Sequence, residues 1–143
     1  MIKEVKSIKD ANRCDELLTQ LILDEKKYND AIEDNVIIKD HFSQMLDDED
    51  IILLAYYIDN EVVGYILIRK IEHNVCLIDG LYVLEEYRNR GIATSLLNDA
   101  INRCKKLKAK YVDINVMDEN EVAKYVYKKL DFKDFSLKLR RKI

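Results

Sequence analysis

Three apolar runs of strand length follow one another between Ile51 and Leu84, and that succession most constrains the fold. Residues 51–58 form a near-continuous apolar run. Asp59-Asn60 is a turn pair, and 62–71 is a second run, so the two predict a β-hairpin. Residues 75–84 make a third run, interrupted by Asp79-Gly80. A glycine inside a strand marks a bulge or a close backbone approach.

The hydrophobic period then changes. Ile92, Ala93, Leu96, Leu97, Ala100, Ile101 and Cys104 fall on one face of a helix that runs to about Lys108. Val112, Ile114 and Val116 alternate with polar residues and predict a strand. Val122, Ala123, Val126, Tyr127 and Leu130 return to helical spacing. Phe135, Leu137 and Leu139 alternate with Ser136, Lys138 and Arg140 and predict a last strand. Upstream, 2–8 reads as a short strand. Cys14, Leu17, Leu18, Leu21 and Ile22 predict a helix over 10–27, and a second helix is predicted near 35–47. The order β-α-α-β-β-β-α-β-α-β gives an α/β class, a mixed sheet with helices on its faces. No linker or repeat divides residues 1–143, which read as a single domain.

Composition excludes several functions. The 143 residues carry a net charge of -3, which does not favour nucleic acid as a partner. No apolar stretch approaches the ~20 residues that span a bilayer. The charged start does not resemble a secretory signal, and three widely spaced cysteines, Cys14, Cys76 and Cys104, without a CxxC suit a reducing cytosol. A cytoplasmic protein is therefore expected. His41 and His73 are far apart and lack ligand spacing, so no metal site is expected. Charge is uneven: residues 1–50 hold 7 Lys+Arg against 14 Asp+Glu, a balance of -7. That excess reads either as solvated helix faces or as an acidic region attracting a cationic substrate.

The chemistry concentrates in 81–94. A strand ends at Leu81-Tyr82-Val83, a charged turn follows, and a helix starts near Gly91. The first turn of a helix offers unpaired N–H groups and the positive dipole end. Small residues at Gly91 and Ala93 let a ligand approach, and Arg88 and Arg90 add charge, which together suit phosphate or pyrophosphate. From spacing alone an ordinary strand-turn-helix with solvated arginines is the favoured reading, because short glycine patterns are weak signals. No Walker A or Gly-x-Gly-x-x-Gly pattern is present.

Arg88-Asn89-Arg90-Gly91-Ile92-Ala93 resembles the Arg/Gln-x-x-Gly-x-Gly/Ala acetyl-CoA motif of the GNAT superfamily of N-acetyltransferases. Asn120-x-x-Ala123-x-x-x-Tyr127-x-x-x-Asp131-Phe132 resembles a second pattern of that family, Asn-x-x-Ala-x-x-x-Tyr-x-x-x-Gly-Phe. Gly64 fits a common family position. Departures are Glu85 for Pro, Ala93 for Gly, and Asp131 for Gly; Asp tolerates left-handed backbone better than most residues.

The resemblance implies a mostly antiparallel, twisted sheet of 6–7 strands with about four helices. It also implies a parallel pair at the centre, equivalent to 75–84 and 111–117, that splays apart. Acetyl-CoA, as co-substrate, would lay its pantetheine arm along Leu81, Tyr82 and Val83. Its pyrophosphate would sit on Arg88, Asn89, Arg90, Gly91, Ile92, Ala93 and Thr94, with Ala123 beside the arm and Asn120 bonding the arm, capping the last helix, or both. A backbone N–H at Val83 or a neighbour would stabilise the oxyanion. Tyr127 would be the general acid that protonates the departing thiolate. Asp79 would be a general base acting through water, or else a bulge carboxylate satisfied by backbone N–H groups. No metal is implied. The implied partner is a small-molecule amine, with a cationic one favoured by the acidic region, and a homodimer is open. Acetylation of a protein N-terminus or lysine, and a non-catalytic acyl-CoA sensor, are the alternatives.

Overall fold

A computed structural model of the protein describes residues 1–143. One sheet holds five strands in chain order: β1 (Ile2–Glu4), β2 (Ile51–Ile58), β3 (Glu61–Glu72), β4 (Val75–Val83) and β5 (Tyr111–Ile114). Neighbours are antiparallel except β4 and β5, which are parallel. Three helices complete the fold: α1 (Ile8–Glu25), α2 (Ile92–Lys106) and α3 (Glu121–Lys129). No helix is long and apolar enough to cross a membrane.

The hairpin turn forms where the sequence puts it. Asp59 and Asn60 both adopt left-handed backbone, φ 51° and 65°. A two-residue type I′ connection requires that conformation at both positions. β3 explains why its run is continuous rather than alternating: every residue from Val62 to Ile68 is buried. Tyr65 and Leu67 face a layer with Cys14, Leu17 and Phe42, whereas Ile66 and Ile68 face a layer with Ile92, Leu96 and Ala100. A strand covered on both sides has no polar face to alternate with. Ser7 starts α1, its side chain accepting the Asp10 N–H at 3.1 Å.

Two predicted elements are absent. Between 35 and 47 only a short 3₁₀ turn, Phe42–Met45, appears. Asp40 has φ 54°, which no right-handed helix tolerates, and Val36, Ile37 and Ile38 are weak helix formers. The backbone here is satisfied by α1 side chains instead. Thr19 Oγ1 accepts the Ile38 N–H at 3.0 Å, and the Asp15 carboxylate accepts those of His41 at 3.3 Å and Phe42 at 3.0 Å. The last strand is also missing. Residues 133–143 have no ladder partner, and Phe135 is 91% exposed. Alternation supplies a strand's faces but not the second backbone that a ladder needs. The sheet thus has five strands and three helices, and the parallel pair lies at its edge rather than its centre.

Asp15 is 3% exposed and its two bonds hold the 37–45 segment on α1. Asp15→Ala strands two backbone donors, each worth about 1–3 kcal/mol when buried without a partner. Urea unfolding is expected to show a lower midpoint at unchanged slope, by at least about 1 kcal/mol; an unmoved midpoint would show that water replaces the carboxylate freely.

Candidate active site

The pairing of β4 changes on both of its edges at the same point. Toward β3, the register runs Ile68↔Ile78 and then Ile66↔Leu81. Asp79 and Gly80 therefore stand together opposite Leu67, which is a β-bulge. Gly80 has φ 137°, outside the range of ordinary side-chain-bearing residues. Toward β5, pairing covers only Val75↔Tyr111 to Ile78↔Ile114. From Asp79 to Val83 that edge of β4 has no strand beside it.

The open edge leads into the turn before α2. Asn89 (φ 62°) and Gly91 (φ 80°) reverse the chain, and Gly91 is the N-cap. No side chain caps α2, and a Cβ added at Gly91 would meet nothing within 4 Å. The first N–H groups of Ile92, Ala93 and Thr94 are thus approachable from outside. Arg88 folds back, Nε donating to the Val83 carbonyl at 2.8 Å and Nη2 reaching Asp24 at 3.4 Å. Its guanidinium lies 5.1 Å from the Tyr82 ring centre. Arg90 donates to the Glu86 carbonyl at 3.2 Å and stays exposed.

α3 bounds the gap on its other side. Asn120 caps it, Oδ1 accepting the Ala123 N–H at 3.1 Å, which leaves the side-chain amide N–H groups without a protein acceptor. Tyr127 is half-buried, packs on the layer containing Val83 and Ile92, and meets Phe132 edge to face with centroids 6.1 Å apart. Burial, with Glu25 adding, pushes its phenol up to about 12, so it stays protonated through the neutral range. Tyr125 is 63% exposed and points away. Asp131 takes up left-handed backbone, φ 67°, at the position where the resemblance has Gly. Phe132 N–H then returns to the Tyr127 carbonyl at 3.1 Å, which closes the end of α3.

Asp79 is paired with Arg69, Nε to Oδ2 at 3.2 Å, and is exposed. It lies on the α1 side of the sheet with Arg69, Leu67 and Tyr65. Cys14, Cys76 and Cys104 are all buried, and burial holds the Cys14 and Cys104 thiols at about 12, far from thiolate chemistry.

Three residues that the sequence did not single out border this place. Asp24 accepts from the Tyr82 hydroxyl at 3.0 Å as well as from Arg88, tying the end of α1 to the end of β4. Glu25, the next residue, is half-buried without an ion-pair partner, and burial raises its carboxyl above the usual range. Tyr65 is wholly buried in β3, and its hydroxyl has no hydrogen-bond partner in the protein. A Cβ on Gly80 would stand 3.2 Å from that hydroxyl oxygen. A buried polar group without a partner costs about 1–3 kcal/mol. Nothing in a single sequence flags these positions, because their meaning depends on register and on where α1 ends.

Comparison with known proteins fits this geometry. The family model described as the acetyltransferase (GNAT) family matches residues 15–132. Streptothricin acetyltransferase A of Bacillus subtilis (strain 168) is 32% identical over 77 residues. That stretch is 54% of this chain and 44% of the relative's length, so the match spans less than half of the curated relative. Among solved structures, a Bacillus halodurans protein determined as a tetramutant superposes with a TM-score of 0.86 at 20% identity, covering 100% of this chain and 99% of its own. The aminoglycoside N-acetyltransferase AAC(6')-Iy in complex with CoA gives 0.76 at 16% identity, with 100% and 99% covered. At these identities the structural likeness is one of fold.

Proposed function

The chain belongs to the GNAT acetyltransferase family, and from that premise we propose that it transfers acetyl from acetyl-CoA to the primary amine of a small, cationic molecule. The observation that carries this reading is the open edge of β4 from Asp79 to Val83, which runs into the uncapped N-terminus of α2. An extended pantetheine arm is itself a chain of amides and fits such an edge as an added strand. Leu81, Tyr82 and Val83 supply the backbone for it. The turn from Arg88 through Asn89, Arg90, Gly91, Ile92 and Ala93 to Thr94 takes the pyrophosphate, and Asn120 and Ala123 flank the arm.

The transfer then needs three things of the protein. An N–H of β4 near Val83 stabilises the oxyanion as the amine nitrogen bonds to the carbonyl carbon. Tyr127 gives its proton to sulfur as the C–S bond breaks. A phenol held at about 12 is a weak acid, and desolvation that raises it raises a neighbouring thiol in the same direction. The amine's proton leaves through water to Asp79. The acceptor is cationic because the acidic N-terminal region ends α1 at this site, where Asp24 is already neutralised by Arg88 and Glu25 is not paired. A half-buried carboxylate that burial has raised gains most from a cation placed beside it.

Three measurements test the reading. Gly91→Val puts a β-branched side chain at φ 80° on the approach to the α2 N–H groups, and calorimetry is expected to show acetyl-CoA binding at least about tenfold weaker. Parent-like binding would remove the pyrophosphate assignment. Tyr127→Phe is expected to lower kcat by about 10²–10⁴-fold with acetyl-CoA affinity nearly intact; an unchanged kcat would mean that another group protonates the thiolate. Thiol release from acetyl-CoA, followed with spermidine, ethanolamine and glycine at low and high salt, is expected to favour spermidine and to lose that preference as salt rises. Equal rates with all three, at salt-independent KM, would sink the cationic acceptor but not acetyl transfer.

A further inference from the structure

Tyr65 is a poor choice for the place it occupies if packing is its only purpose. Its ring meets Phe42 edge to face, with centroids 5.3 Å apart, a contact that phenylalanine would make as well. The hydroxyl adds a buried polar group with no protein partner. It is also aimed at a particular spot: it abuts Gly80, where a Cβ would stand 3.2 Å from the hydroxyl oxygen. Gly80 is the second residue of the bulge, directly after Asp79. Tyr65, Leu67 and Arg69 alternate onto the α1 side of β3, and Arg69 holds Asp79 on that same side through Oδ2 alone, leaving Oδ1 without a protein partner. An orphan hydroxyl and a half-engaged carboxylate thus flank one bulge.

We propose that Tyr65 is a positioning residue for acetyl transfer, its hydroxyl holding at the β4 bulge the water through which the attacking amine loses its proton to Asp79. The proposal rests on the transferase reading above and gives its proton path an anchor. As the nitrogen bonds to the acetyl carbon, its proton passes to the water oxygen while a proton of that water passes to Asp79 Oδ1. The C–S bond breaks and sulfur takes the Tyr127 proton, so atoms and charge balance. Tyr65 donates to or accepts from the water and is itself unchanged. Burial, with Cys14, Glu25, Asp79 and Asp15 around it, keeps the phenol neutral, which suits a group that orients rather than ionises. The bulge is what brings the parts together: it turns two successive residues of β4 against one of β3, so a carboxylate and an open Cα reach the same neighbourhood.

The test is Tyr65→Phe, Asp79→Asn and the double variant, assayed by thiol release with the fastest amine of spermidine, ethanolamine and glycine. Tyr65→Phe is expected to lower kcat by about tenfold or more, with KM for acetyl-CoA unchanged and the melting temperature equal to or above the parent's, since the lost hydroxyl has no protein partner. Acting on one water, the two substitutions are expected not to multiply: the double variant should be little slower than Asp79→Asn alone. A parent-like kcat for Tyr65→Phe, losses that multiply, or a melting temperature lowered by several degrees would each overturn the positioning role. A parent protein that acetylates none of the three amines overturns the transferase reading with it, whereas an active parent beside an unimpaired Tyr65→Phe overturns the positioning role alone.

Discussion

A parallel ladder that stops after four residue pairs leaves the rest of a central segment with backbone groups that must find partners elsewhere. That constraint organises this protein. β4 continues past Ile78 with β3 on one side and nothing on the other, and the bulge at Asp79-Gly80 sits where β5 falls away. The exposed edge is therefore not frayed: β3 stays paired with it on one side, and no strand covers the other. The same chain then turns through Asn89 and Gly91 into α2, so the open edge leads to the uncapped helix terminus.

The two faces of the sheet divide the remaining work. The layer on one side, built on Ile66, Ile68, Leu96, Leu97 and Ala100, fixes α2 and through it the direction of the first helical turn. Tyr127 and Phe132 pack on that layer from α3. The layer on the other side, built on Leu17, Phe42, Tyr65 and Leu67, fixes α1. Arg88 bridges the two, holding the Val83 carbonyl with one nitrogen and Asp24 with another. Because that guanidinium also lies over the Tyr82 ring, the end of α1 cannot shift without disturbing the end of β4.

How much of this was legible depended on whether the signal was local. The hairpin, the bulge, the start of α2 and the left-handed Asp131 are all set by residues within a few positions of one another, and the structure agrees with each. The helix expected near 35–47 failed because its competitors, Thr19 and Asp15, lie 19–27 residues upstream. The strand expected around Phe135, Leu137 and Leu139 failed because alternation says nothing about a partner. Arg88, Gly91, Asn120 and Tyr127, which border the open edge of β4, were singled out through two spaced motifs. Glu25 and Tyr65 were not: one matters because a helix happens to end there, the other because a register jump puts Gly80 against its hydroxyl.

The uneven way in which the two sides are held has a consequence for descent. Seven successive buried positions in β3 and the closely packed face of α2 leave little latitude for change. Residues 26–41, by contrast, include no buried position and are tied to α1 by side-chain bonds to Asp15 and Thr19. Sequence drift is tolerated there at small cost to the rest of the molecule. A lineage built on this plan is free to vary that segment while inheriting the sheet and α2 nearly unaltered.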